Sequence, residues 1–348
     1  MSPGRAMRSE VNGTASQLLE LLRWRYALEA PLGLRRTSAG STSETWIVTA
    51  GNDRRVVVQR YPTDFDEPWI RFQQSILHHL RRHRFPTPGL MPTADGEWFV
   101  RWDGRYYAVF EYCQGRAIRW PLSRRLWVEV NAAAGRTLAW FHQLMAGFHP
   151  DGRAAARDFD AHSCSQELVR SCALVRGRRP LTRSDRYFLQ QAEEIERRLV
   201  TIGIPFESRR AGCSHTVVHV DFGPGNVLFH QGRLAGVLDF TSARVDVRLR
   251  DVGKALLGFS KWFGPRLHLA LAKSLLSAYQ ERYPLTTEEL ALLPRLMVYN
   301  RLEGLWRNLT QYHASGQAAY ARWVEHNLEL VRWMEAHDAQ IQALCGKA

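Results

Sequence analysis

Apolar residues first fall into register between positions 15 and 28, ASQLLELLRWRYAL. There Leu18, Leu19, Leu21, Leu22 and Tyr26 form one stripe at helical spacing. The period then drops to two. Thr45–Thr49 and Val56–Tyr61 predict strands joined by a Gly51-Asn52-Asp53 turn. Pro68, suited to a first helical turn, opens a helix running to about Arg82, and Phe85-Pro-Thr-Pro-Gly ends it. Trp98–Trp102 and Tyr106–Glu111 predict two more strands around Asp103-Gly104. Residues 31–115 therefore predict β-β-β-α-β-β. Beyond Gly115 the pattern is mostly helical: a helix over Trp127–Met145, a polar loop over 149–165, helices near 183–200, and four or five more from about Val252. A short β island interrupts them at Thr216–Val220, Val227–His230 and Leu234–Asp239. The pattern implies an α+β chain in three parts: a tail and helix over 1–30, a small β-rich lobe over 31–115, and a larger helical lobe over 116–348.

Composition narrows the function. With 348 residues, 45% hydrophobic and 23% charged, the chain has material for a real core. The net charge of +13 is carried almost wholly by arginine, since lysine occurs only at 254, 261, 273 and 347. No basic run or nucleic-acid motif accompanies it, which favours a nucleotide site over a nucleic-acid binder. The five cysteines have no CxxC spacing and suit free thiols in a reducing, cytoplasmic setting. No apolar run predicts a signal peptide or a membrane span. Oligomeric state is not legible at this level.

The chemistry concentrates in His219-Val-Asp-Phe-Gly-Pro-Gly-Asn226, followed by a strand, a Gln231-Gly232 turn and an apolar strand ending at Asp239. Asp221 leaves a strand and enters a loop. Asn226 opens the next strand, and the hairpin returns Asp239 toward Asn226. Phosphoryl transfer needs a carboxylate beside the attacking hydroxyl and oxygen ligands for magnesium on the phosphates.

This segment resembles the catalytic loop and metal-binding aspartate of the aminoglycoside phosphotransferase, choline kinase and homoserine kinase-like superfamily. The resemblance runs from about residue 31 to 335. It implies a protein kinase-like bilobal fold and transfer of the γ-phosphate of ATP to a hydroxyl. By this resemblance Asp221 is the catalytic base, His219 braces the loop, and Asn226 and Asp239 bind Mg2+. Asp251 matches an acidic residue that opens the following helix in a structural role. Ser38–Glu44 resembles the phosphate-covering loop, so Gly40, Ser41, Thr42 and Ser43 are candidate phosphate contacts. Val109–Gly115 resembles the hinge, with adenine held by the backbone of Glu111 to Cys113. Gly135–His142 resembles the central helix of the larger lobe and is assigned to packing.

One expected element is missing. The family places a Lys, or sometimes an Arg, on the third strand and pairs it with a helix Glu, but no lysine precedes Lys254. The register puts Gln59 there, and strand alternation puts Arg60 on the opposite face. Gln73 or Gln74 stands where the Glu is expected, so a Gln–Gln hydrogen bond is the expected substitute. ATP would then be held by Gln59 or Arg60 together with the metals. For the acceptor the candidates are Arg244, Asp246, Tyr299, Glu303, Trp306, Arg307 and Glu325. The acceptor is expected to be a small hydroxylated molecule: an aminoglycoside-like antibiotic, an amino acid, an amino alcohol or a sugar. The alternatives are a nucleotide-binding pseudokinase with a regulatory role and a basic nucleic-acid binder.

Overall fold

The computed structural model describes residues 16–29, 33–37, 43–118, 123–154, 159–261 and 264–346. Gly40, Ser41 and Thr42 lie outside them. The smaller lobe begins with a helix over 16–26 (α1) and a six-stranded antiparallel sheet. The sheet comprises β1 (Gly33–Arg36), β2 (Glu44–Thr49), β3 (Arg55–Arg60), β4 (Leu90–Met91), β5 (Val100–Trp102) and β6 (Arg105–Glu111). Its order is β1-β2-β3-β6-β4, with β5 also on β6. Helix α2 (Glu67–Arg82) crosses between β3 and β4; Asp66 caps it by accepting from Trp69 N at 3.0 Å.

Alternation along β3 separates two cores. Val56 and Val58 join Leu18, Leu21, Leu22 and Tyr26 of α1 in a small cluster. On the other side, Ala108 and Phe110 of β6 meet the buried face of α2 in a core that runs on into the larger lobe. The N-terminal helix is thus part of the small lobe, not a detached tail.

Past Gly115 the chain pairs with the strand that follows Asn226 before turning helical. β7 (Arg116–Ala117) lies against β9 (Val227–His230), which pairs with β10 (Arg233–Val237). A separate ribbon joins β8 (His215–Val218) to β11 (Arg244–Val247). The expected β island is therefore two small sheets, and β11 was not foreseen. Gln231 and Gly232 both have positive φ (49° and 74°), the geometry that closes a two-residue hairpin. The helices are α3 (Arg124–Met145), α4 (Ala161–Arg176), α5 (Arg183–Arg198), α6 (Ile204–Arg209), α7 (Leu249–Phe259), α8 (Leu269–Gln280), α9 (Thr287–Ser315), α10 (Ala318–Ala336) and α11 (Asp338–Gly346). The 149–165 loop gives way to α4 at Ala161, a helix that the polar pattern there did not announce.

Helices α3 and α8 pack at backbone distance. A Cβ on Gly135 would lie 2.2 Å from the Leu275 carbonyl oxygen. Glycine inside a helix normally costs about 1 kcal/mol relative to alanine. Here the sign is reversed, because the obstacle is backbone and cannot rotate away. Gly135→Ala is expected to lower stability by about 1–3 kcal/mol, as overpacking does. Urea denaturation measures it; a stabilised variant would mean that the helices are not in contact there.

Candidate active site

Asp221 owes its position to a buried carboxylate 30 residues later in the chain. Asp251 lies in the first turn of α7 and is fully buried. Its two oxygens accept from consecutive backbone N–H groups, His219 N at 2.6 Å and Val220 N at 2.7 Å. His142 of α3 reaches the same carboxylate through Nε2 at 3.2 Å, and its Nδ1 contacts the Tyr279 hydroxyl at 2.8 Å. Burial works to raise the Asp251 pKa. The His142 bond and the neighbouring histidine and backbone donors outweigh it, and the group is held below its ordinary value.

This clamp holds a strained turn. Val220 has φ 69°, a region costly for a β-branched residue. His219, wholly buried, stabilises the next step. Its Nε2 contacts the Leu238 carbonyl at 2.8 Å, and its Nδ1 accepts from Asp221 N at 3.2 Å. Phe222 and Phe240 pack against its ring at 6.1 and 4.6 Å. Asp221 is exposed, and its carboxylate accepts from Asn226 Nδ2 at 2.7 Å. Leu238 N donates to Asn226 O at 2.8 Å and ties the two ends of the hairpin together. Asp239 follows with φ 60°, its Oδ1 taken by Thr241.

A cavity of about 310 Å³ opens between the sheet and this segment. Ser43, Gln59, Glu111, Cys113, Asn226 and Asp239 all line it. Arg60 does not. It sits on the other face of β3, paired with Glu44 and stacked over Trp46. Gln73 lines the cavity, whereas Gln74 turns away to donate to Trp98 O at 3.2 Å. The expected Gln59–Gln73 hydrogen bond is absent: Gln73 is 2% exposed and its Oε1 has no partner, nor has the Ser43 hydroxyl. Buried polar atoms without a partner are costly. Among the described residues, the charged ones lining the cavity are Glu111 and Asp239, both acidic. Burial raises the Cys113 pKa, and its thiol donates to Ala235 O, so it is not set up as a nucleophile.

Asn226 and Asp239 present amide and carboxylate oxygens to one cavity. Among the described residues no cluster of three or more His, Cys, Asp or Glu side chains can cage a metal. Two oxygen donors suit magnesium, which keeps waters and phosphate oxygens as its remaining ligands.

On the far side of Asp221 the acceptor candidates divide. Tyr299 is core, its hydroxyl held by the Phe159 carbonyl at 2.8 Å and by Glu207. Trp306 packs near Phe159, and Glu325 is exposed on α10. Arg244, Asp246, Glu303 and Arg307 come together in one network with Arg250 and Lys254, which the sequence had not singled out.

The fold and this site define a class. A family model for the phosphotransferase enzyme family matches residues 33–285, and the chain belongs to that family. Among curated relatives, the homoserine kinase of Sinorhizobium medicae is 29% identical over 233 residues, spanning 65% of this chain and 64% of the relative's length. The homoserine kinase of Phenylobacterium zucineum is 25% identical over 313 residues, 90% of each chain. In fold, the chain is similar to an amicoumacin kinase solved with AMP-PNP and Ca2+ (TM-score 0.66, 14% identity, 96% of each chain). It is equally similar to a microcompartment-associated aminopropanol kinase (TM-score 0.66, 17% identity, 94% of this chain and 98% of the other). The architecture is that of the protein kinase-like small-molecule kinases.

The clamp generates a prediction. Asp251→Ala leaves two buried N–H groups without an acceptor and is expected to cost about 3–5 kcal/mol. In Asp251→Asn the loss is pH-dependent. The folded carboxyl is held below its ordinary 3.8. Its stabilisation is complete above that value and disappears as pH falls through the folded one. The stability gap between wild type and Asp251→Asn in urea titrations is therefore expected to narrow in acid; a gap constant with pH would contradict the clamp.

Proposed function

We propose that the protein is an ATP-dependent O-phosphotransferase acting on a small hydroxylated acceptor, with Asp221 as base. The observation that carries this reading is one exposed carboxylate bonded to Asn226 at 2.7 Å, while Asn226 and Asp239 line the cavity beneath it. Relatives named for homoserine support a small hydroxylated acceptor. Asp221 accepts the acceptor's hydroxyl proton as its oxygen bonds to the γ-phosphorus and the bond to the β–γ bridging oxygen breaks. The Asn226 bond holds the carboxylate at the cavity mouth and keeps it aimed. His219 acts through the loop and touches no reactant.

Asn226 and Asp239 would hold magnesium, which when bound would neutralise charge on the phosphates. The described residues that line the cavity include no cation, so Gln59, Gln73 and Ser43 would give the phosphates hydrogen bonds without charge. At the hinge, Glu111 N is already committed to Gly89 O at 2.8 Å. The adenine edge would therefore meet the Glu111 carbonyl and the Cys113 backbone. No helix among the described residues is long and apolar enough to cross a membrane.

Two outcomes follow. Asp221→Asn is expected to cut acceptor-dependent ADP release by about 10²- to 10⁴-fold, the range for loss of a general base. Binding of a fluorescent ATP analogue should persist; full turnover in this variant would remove Asp221 from the chemistry. Gln59→Lys alone places an ammonium against the buried, neutral Gln73 and is expected to lower the melting temperature. Adding Gln73→Glu should restore it, with a coupling of about 0.5–3 kcal/mol in the double-mutant cycle. Strict additivity would show that the two side chains do not face each other.

A further inference from the structure

The α7 side of the catalytic loop gathers more cations than carboxylates, some buried (Arg244, Arg250) and some at the surface (Arg307). Five cations (Arg210, Arg244, Arg250, Lys254 and Arg307) share two carboxylates, Asp246 and Glu303. Lys254 lies 3.9 Å from Glu303, and the charge of Asp221 also acts on it. Gly258, one turn along α7, meets the catalytic loop: a Cβ there would lie 3.1 Å from Pro224 and 3.7 Å from Gly223. Lys261 follows the helix's C-cap, Ser260. In a chain with four lysines, two therefore flank the point where α7 touches the loop.

The groups facing Lys261 offer it no acid. From α10, His326 Nε2 stands 3.4 Å from its ammonium, and from α9 Arg301 opposes it electrostatically. Burial and Arg301 together push Lys261 down to about 7. Arg301 itself falls to about 10, with only Glu303 acting the other way. His326 is lowered by burial, then by Lys261 and Arg301; Glu329 is its one acidic neighbour. Arg301 donates once, to Asn327 Oδ1 at 3.3 Å, and its buried Nε has no partner. Lys254 shares Glu303 with other cations, Arg301 leaves its buried Nε unpartnered, and among the described residues Lys261 meets only a histidine and an arginine; desolvated cations so under-compensated are an arrangement completed by an anion.

We propose that Lys254, Lys261 and Arg301 form an anion-recognising acceptor subsite beside Asp221, so that the hydroxylated acceptor carries a carboxylate or a phosphate. The placement rests on the kinase reading above; the anion site itself does not. A polycationic acceptor would meet like charge, whereas an anionic one restores a proton to Lys261. Affinity is then full below about pH 7 and weakens as pH rises through that value, because the bound form requires the ammonium.

Two measurements test this. The first is ADP release with matched pairs: homoserine against homoserine amide and 3-amino-1-propanol, and glucose 6-phosphate against glucose, with kanamycin as the cationic arm. One anionic member is expected to exceed its uncharged or cationic counterparts by roughly 100-fold in kcat/KM, with the loss in Lys261→Met falling on the acceptor KM. The preferred pair tells carboxylate from phosphate. A neutral or cationic acceptor turned over as well as the anions would overturn the proposal.

The second needs no chemistry. Reductive methylation with ¹³C-formaldehyde labels the four lysines for NMR. One resonance, missing in Lys261→Met, should titrate near neutrality and move to higher pKa with homoserine or glucose 6-phosphate but not with the amide or glucose. If neither anion moves it, the subsite is wrong whatever the kinase does. If the anions move it and no compound supports ADP release, the subsite stands and the kinase reading fails.

Discussion

The Asp251 carboxylate is the interaction on which the site depends. Burying a carboxylate is unfavourable unless donors replace its hydration. Here the donors are the two peptide groups that turn the chain from β8 into the catalytic loop, plus a histidine from α3. The loop's direction is thereby fixed by a helix it does not belong to. Val220 can hold a positive φ because its neighbours leave it no alternative. Everything downstream inherits that constraint: His219 reaches Leu238, Asp221 reaches Asn226, and the hairpin closes. The exposed carboxylate is placed by buried groups, so it needs no ligand to be aimed.

The parts of this arrangement that are local in sequence were legible. The Asp221, Asn226 and Asp239 spacing, the Gln231-Gly232 turn and the opposite facing of Gln59 and Arg60 follow from motif, turn chemistry and strand alternation. Helix α4 was missed because its buried stripe is Ala161, Cys164, Ser165, Leu168, Cys172 and Val175. The spacing is helical, but small and weakly polar residues give it little hydrophobic contrast. β11 was missed because Arg-Val-Asp-Val buries a charged pair where a strand signal expects apolar residues. His142 looked like one more packing residue. Its link to Asp251 spans 109 positions, and no local pattern reports such a contact. The lysines at 254 and 261 did leave a signal, their rarity, which becomes informative only once α7 is seen against the loop.

The two sides of the catalytic loop differ in electrostatics. The described residues lining the cavity offer amides, hydroxyls and two acids but no cation, in a protein of net charge +13. On the α7 side five cations share the buried carboxylates Asp246 and Glu303. In most designs for phosphoryl transfer, positive charge gathers on the phosphates. Here the protein's own charge lies across the loop from them. Glu303 illustrates the consequence: burial would raise it, yet Lys254, Arg250, Arg307 and Arg244 hold it down to about 2. It is therefore ionised at any working pH and cannot serve as an acid.

That division bears on the missing lysine. An ammonium at Gln59 would lie against Gln73, where a neutral amide gives it no charge to pair with. Two glutamines remove both charges and leave one buried oxygen, Gln73 Oε1, without a partner. Phosphate charge would then be met by the metal at Asn226 and Asp239, and the pairing that fixes lobe geometry elsewhere in the family has no counterpart here. The small lobe has fewer ties to the phosphates. The α2 core shared with the larger lobe and the β7–β9 pairing must instead hold the cavity walls in register. Rigidity is thus supplied by packing and by one buried carboxylate, Asp251, that ties the loop to α7.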